Sequence, residues 1–290
     1  MDKLNTKILV CCHKKDIMAV QEPYLPIQLG KSLTDADLGI ATDDTGENIS
    51  FKNHSYCELT GIYWAWKNLK GIDVIGLCHY RRYFDFHGVC QRYKPYTTFP
   101  SSYFHKANLS IPDSIINKAY NGILILPRKE HYPVSVLSHY NNGHSSFDIY
   151  AAKDIIKKNY DDKYSRAFWM ALANSNKMNI CNMFIMNWEN FDAYCTWLFN
   201  ILSEIEKRID ITNYSPYQQR LYGFLAERLF NVWIYAEKKM TKEYPMLFFS
   251  DENSYMSSVS SWRYGLGCCI SDIMNVVRRA EYKFNLTNII

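Results

Sequence analysis

Lys7-Ile8-Leu9-Val10-Cys11-Cys12 is a short apolar run that stops abruptly at His13-Lys14-Lys15. A run without polar alternation reads as a strand buried on both faces, as in parallel sheets covered by helices. Two later stretches follow the same plan. Asp73-Val-Ile-Gly-Leu-Cys78 ends in His79-Tyr80-Arg81-Arg82-Tyr83-Phe84, and Gly122-Ile-Leu-Ile-Leu-Pro127 ends in Arg128-Lys129-Glu130. Each strand delivers polar residues at its carboxyl end, the edge where open α/β sheets bind ligands.

Around these strands the pattern is helical. Ser55-Tyr-Cys-Glu58 has the form of a capping box opening a helix whose core face is Leu59, Ile62, Tyr63, Trp66 and Leu69. Residues 41–50 are rich in turn formers and read as a loop. Further helices are expected at 150–158, 165–174, 191–208, 217–239 and 271–284, with one more strand at 181–186. The expected class is α/β: a Rossmann-like mixed sheet flanked by helices, with a largely helical C-terminal half. No repeat, low-complexity run or flexible linker interrupts the chain, so a single domain over 1–290 is expected.

The composition fits. With 290 residues, 48% hydrophobic and 21% charged, the chain can bury a large core, which excludes disordered and fibrous classes. Aromatics reach 16%, including 23 Tyr and 7 Trp, which suits either ring-lined clefts or a Tyr-rich core. A net charge of +4 without a long Lys/Arg run gives no footprint for nucleic acid. Nine Cys without CxxC or zinc spacing read as reduced, mostly buried thiols of a cytosolic protein. The first residues lack a signal-peptide pattern, and no apolar run reaches the roughly 18 residues of a membrane span.

Several groups could carry chemistry. Arg81 and Arg82 at a strand end, beside His79 and Tyr80, suit anionic oxygens, since guanidinium binds phosphate bidentately; a surface ion pair is the plainer reading. Consecutive strand residues point to opposite faces, so one of the two would address a given phosphate. His13 and Lys14 suit a base or phosphate as well as they suit solvent. Asp43, Asp44 and Asn48 suit a metal or a ribose hydroxyl, and equally a plain turn. His144 and Asp148, at i and i+4, read as an acid–base pair, two of three metal ligands, or a helix start. Glu227 shares a helical lane with Gly223 and reads as a buried base or as the ion-pair partner of Arg228 or Arg220. P-loop, G-x-G-x-x-G, G-x-S-x-G and kinase motifs are absent from the sequence.

Several blocks, in order, resemble one family. They are residues 7–14, 24–30, 43–50, 55–67 and 76–84, with Cys181-Asn-Met-Phe-Ile-Met186 and Gly223-Phe-Leu-Ala-Glu-Arg-Leu-Phe230 later in the chain. They look like bacterial capsular polysaccharide biosynthesis glycosyltransferases, a family first catalogued as a domain of unknown function and including galactofuranosyltransferases. The resemblance implies a GT-A-like fold divided into a nucleotide-sugar half (1–130), an acceptor and catalytic half (131–250) and a helical extension (251–290). It implies a UDP-sugar co-substrate, galactose or galactofuranose among the candidates, and a capsule, O-antigen or lipopolysaccharide acceptor, free or lipid-linked. The donor-binding set implied is His13, Lys14, Asp43, Asp44, Asn48, Tyr56, His79, Arg81, Arg82 and Asn182; the catalytic set is Glu227, with Asp148 and His144 in reserve.

The chain departs from the pattern twice. Asn182 stands where glycogenin-type enzymes have Asn-x-Gly, but without the Gly. The Asp-x-Asp motif that holds Mn²⁺ or Mg²⁺ in GT-A enzymes is missing, with His79-Tyr80-Arg81 in its place, so arginine is expected to carry the diphosphate charge and no metal site is assigned. A non-catalytic nucleotide- or sugar-binding subunit of a polysaccharide assembly complex is the main alternative. A nucleotide-sugar hydrolase would want clustered carboxylates. Residues 271–284, with Arg278, Arg279 and Lys283 beside Ile273, Met274, Val277 and Phe284, suit either an anionic leaflet or packing on the domain. A cytoplasmic protein, at most peripheral on the inner membrane face, is expected.

Overall fold

The computed structural model of the chain describes residues 3–252 and 259–287. Its strands are β1 (Thr6–Cys12), β2 (Tyr24–Gln28), β3 (Ala41–Thr42), β4 (Val74–His79), β5 (Arg82–Phe84), β6 (Tyr96–Phe99), β7 (Leu124–Pro127), β8 (Glu130–His131), β9 (Lys177–Met178), β10 (Phe184–Asn187), β11 (Thr241–Tyr244) and β12 (Met246–Phe249). Its helices are α1 (Asn53–Tyr56), α2 (Leu59–Asn68), α3 (Asp113–Tyr120), α4 (Val136–Gly143), α5 (Ser146–Asn159), α6 (Asp162–Phe168), α7 (Trp188–Glu206), α8 (Leu221–Ala236) and α9 (Ser261–Thr287).

The main sheet runs β11-β7-β10-β4-β1-β2-β3, and from β4 a side branch leads through β5 and β12 to β6. β1 pairs parallel with β2 and β4, whereas β10 pairs antiparallel with β4 and β7. The apolar runs at 7–12 and 73–78 are therefore central strands, buried along nearly their whole length. Each fully buried Ile or Leu contributes about 1.5–3 kcal/mol relative to exposure, so this seam anchors the sheet. Gly76 lets it close: a Cβ there would stand 2.6 Å from Ile8 Cδ1 and 2.9 Å from the Phe184 carbonyl oxygen. Register pairs Cys11 with His79, so the polar residues ending β1 and β4 emerge side by side.

Several expectations are corrected. Ser55 and Glu58 form no capping box: Ser55 lies inside α1, where its hydroxyl donates to the Lys52 carbonyl, and α2 starts only after Glu58. Cys57 breaks the helix between them, with φ 51°. The strand expected at 181–186 begins at Phe184, because Cys181 and Asn182 hold left-handed φ values of 69° and 49°. The expected helix at 165–174 is α6 followed by a π-helical turn, Trp169–Ala173. The short strands β2, β6, β11 and β12 have runs too brief to register as strands in the sequence.

The terminal helix starts at Ser261, earlier than expected, and lies polar side inward. Ser271 donates to the Tyr132 carbonyl, Asn275 to the Asn174 carbonyl and Arg278 to the Pro133 carbonyl, and Asp272 pairs with Lys177 at 3.0 Å. Trp262, Leu266, Ile270, Ile273, Val276 and Val277 are exposed. The side chains of Arg279, Lys283 and Phe284 lie outside the described residues. Among the described residues no helix is long and apolar enough to cross a membrane.

Candidate active site

The carboxyl ends of β1 and β4 open into a cavity of about 730 Å³. Its lining includes His13 after β1, His79, Tyr80, Arg81 and Arg82 around the β4–β5 turn, Cys57 and Glu58 between α1 and α2, Cys181 before β10, Arg220, Gly223, Phe224 and Glu227 at and within α8, and Phe248 and Glu252 from the β12 side. Gly223 permits the close approach of α8 to Cys57, since a Cβ there would meet the Cys57 Cβ and Sγ at 3.3 Å. Cys57 and Cys181 both line this cavity in left-handed conformations that L side chains adopt at a cost of order 1–3 kcal/mol.

One wall is cationic. Arg82 stacks over the Phe248 ring at 4.9 Å, and Arg220 over Phe224 at 5.4 Å. Among the described residues neither guanidinium pairs with a carboxylate, so each is available to an anion; Arg220 Nε donates only to the Cys57 sulfur, at 3.4 Å. Arg81 differs, because its Nε and Nη2 both donate to Asp16 Oδ2, at 3.0 and 2.8 Å. His13 packs edge-on against Tyr80, and desolvation, then Lys14, Arg220 and Arg81, hold its imidazole below its ordinary pKa. Arg81, Arg82 and Arg220 thus converge on this edge, with Asp16 and Glu252 as the acids near them.

Deeper in the cavity lie His79, two glutamates and two thiols. Burial, helped by the Arg82 charge, lowers the His79 pKa to about 4, so its ring is uncharged and Nε2 donates to the Cys181 carbonyl at 2.8 Å. Glu58 accepts from Asn182 Nδ2 at 2.7 Å, and burial pushes its carboxyl above the usual range against the pull of that amide and of Arg220 and Arg82. Glu227 is fully engaged: Oε1 accepts from the Cys181 N–H at 2.6 Å, and Oε2 pairs with Arg228 Nη1 at 2.8 Å. Burial raises the Cys57 thiol to about 11 and the Cys181 thiol to about 12, which leaves them protonated and poorly nucleophilic.

Of the residues singled out in the sequence, His13, His79, Arg81, Arg82 and Glu227 come together here. Asn182 lies just behind, 3% exposed, in contact with Glu58. The remainder are held elsewhere. Asp43 is completely buried, accepting the Gly30 and Lys31 N–H groups and the Ser50 hydroxyl. Asp44 accepts from Thr42, and Asn48 ties down the Asp44 and Gly46 carbonyls, so this loop's polar atoms serve the loop itself. Tyr56 is buried against Tyr222, rings 4.5 Å apart, and Lys14 is exposed beyond the lining. His144 and Asp148 are not partnered: His144 bonds Gln218 among aromatic rings, and Asp148 accepts from Tyr214. Among the described residues no three His, Cys, Asp or Glu side chains gather as a metal site.

Sequence reasoning missed Glu58 and Arg220 as cavity residues. Glu58 fits a capping pattern in the sequence, and Arg220, inside the helix expected over 217–239, fits an ion-pair partner for Glu227.

The structure is a mixed α/β sheet flanked by helices with a charged cavity at its carboxyl edge, and its likeness to a solved glycosyltransferase makes the fold GT-A-like. Residues 7–239 match the family described as a domain of unknown function (DUF4422), and the chain belongs to it. It is also similar to the solved apo structure of WbbM, a bifunctional glycosyltransferase, with 31% identity and a TM-score of 0.75 over 86% of this chain and 46% of that one. The chain therefore spans just under half the length of that protein. No curated protein matches it significantly.

Proposed function

We propose that this chain is a glycosyltransferase that moves a sugar from a UDP-sugar onto a growing capsule, O-antigen or lipopolysaccharide glycan, galactose and galactofuranose being the first donors to try. The observation that carries the reading is the pair of guanidinium groups, Arg82 and Arg220, without carboxylate partners above a floor of neutral and acidic side chains. A diphosphate needs the first and a sugar with an attacking hydroxyl needs the second. Likeness to WbbM supports the same class. In this reading Arg82, Arg220 and His13 hold the diphosphate, Arg81 lends charge from its pair with Asp16, and arginine offsets the leaving-group charge without a metal.

The outward apolar face of α9, with Arg263 exposed on the same helix, supports a peripheral contact with an anionic leaflet carrying lipid-linked acceptor. The test of the catalytic reading is UDP release from a panel of UDP-sugars, with and without glycan acceptor and chelator. Stabilisation by UDP without any release would favour a non-catalytic binding subunit instead.

A further inference from the structure

Two glutamates line the interior of the cavity, and their surroundings assign them different work. Glu227 has no idle oxygen: one takes the Cys181 N–H and the other the Arg228 guanidinium, whose side chain is only 6% exposed. A carboxylate so held has both oxygens engaged and supplies the counter-charge of a buried cation. Its place is structural: it fastens the left-handed turn at Cys181 and Asn182 to α8.

Glu58 is the opposite case. Among the described residues it forms no ion pair; its carboxylate accepts one side-chain hydrogen bond, from Asn182 on Oε1, and one from its own backbone N–H, so no side chain occupies Oε2. A carboxylate cannot grip a diphosphate, because like charges repel. The neutral part of a bound substrate, including the attacking hydroxyl, is what it can address. Glu252, the other acidic residue of the lining, stands exposed at the rim.

We infer that Glu58 is the catalytic base that takes the proton from the acceptor hydroxyl, with Asn182 as its positioning residue and Glu227 as a structural strut. This rests on the glycosyltransferase reading and sharpens it. As the acceptor oxygen bonds the anomeric carbon, its proton passes to Glu58 Oε2. The bond from that carbon to the diphosphate oxygen breaks, and its electron pair leaves with the diphosphate, facing Arg82 and Arg220. A single displacement of this kind inverts the anomeric configuration, and Glu58 then returns the proton to solvent. Burial, which raises the Glu58 carboxyl towards working pH, makes it a stronger base than an exposed carboxylate. The charged or titratable groups around it are Arg220 and Glu227 from the α8 side, Tyr194 from α7, His79 and Arg82 from the β4–β5 turn, and the Cys11, Cys57 and Cys181 thiols. Of these only the two arginines pull it back towards ionisation.

The experiment compares wild type, Glu58→Gln, Glu58→Asp and Glu227→Gln in UDP affinity and, with glycan acceptor present, in UDP release from UDP-galactose, UDP-glucose and UDP-galactofuranose across pH. Glu58→Gln is expected to bind UDP as wild type does, with turnover down roughly 10²–10⁴-fold, the usual share of a general base. Glu58→Asp should keep part of the rate, and the wild-type rise of rate with pH should persist in Glu227→Gln but vanish from the residual rate of Glu58→Gln. Wild-type turnover matched by a folded, UDP-binding Glu58→Gln overturns the inference alone. If Glu58→Gln does not fold, a Glu58→Asp variant that binds UDP and keeps both full rate and an unshifted pH profile overturns it equally. Absence of UDP release by wild type from all three sugars overturns the glycosyltransferase reading, and this inference with it.

Discussion

Asn182 donates its amide to Glu58 at 2.7 Å, joining residues 124 apart in the chain at the floor of the cavity. That bond favours the ionised carboxylate, so removing it should raise the Glu58 pKa further. Because Asn182 sits at φ 49°, Asn182→Gly removes the amide without adding backbone strain. The sign follows directly: a base with a higher pKa deprotonates later, so the rising limb of the rate–pH profile should move to higher pH. A profile that only falls in height, without moving, would mark Asn182 as structural.

Glu227→Gln is expected to cost stability. Arg228 is nearly buried and would keep one backbone acceptor, the Phe224 carbonyl, while losing its counter-charge. Breaking such a pair costs about 3–5 kcal/mol when fully buried; with Glu227 itself 22% exposed, the lower end is expected. Urea unfolding monitored by circular dichroism reads this, and a variant as stable as wild type would remove the structural role given to Glu227.

The two neighbouring arginines should behave differently. Arg82 has no carboxylate partner, so Arg82→Ala should weaken UDP binding by about 2–5 kcal/mol, the range for a desolvated charge contact. Arg81 already spends two donors on Asp16, so Arg81→Ala should weaken it less. Calorimetric titration with UDP ranks them, and the reverse order would contradict this assignment.

These contrasts show what the sequence could and could not reveal. The central strands were legible because burial on both faces writes an unbroken apolar run, as at 7–12 and 73–78. The arginines at the β4–β5 turn were legible because a strand end has a fixed place in such sheets. The Glu58–Asn182 bond was not, since a contact between distant residues leaves no local pattern. Ser55-x-x-Glu58 even misled: a capping box presumes a continuous helix, and the positive φ of Cys57 breaks it. The Asp43 loop reads both ways in the sequence, because turn-forming carboxylates look alike whether they hold a ligand or, as here, the backbone at Gly30 and Lys31.

The exposed face of α9 gives a prediction independent of catalysis. Ile270→Glu and Ile273→Glu place charge on that face, away from the polar contacts of Ser271, Asp272 and Asn275. Co-sedimentation with vesicles rich in anionic lipid should fall in both variants, and wild type should bind zwitterionic vesicles less well. Wild type that ignores anionic vesicles would remove the membrane contact.

Incubating the purified chain with UDP-sugars and glycan acceptors, and weighing the acceptor by mass spectrometry while UDP is assayed, tests the proposed activity most directly. The expected result is an acceptor heavier by one sugar residue, UDP released in equal amount, and no loss of rate with chelator, since the proposal has Arg82 and Arg220 carry the diphosphate charge. UDP that binds and stabilises the chain, with no acceptor gaining mass from any donor, would contradict it.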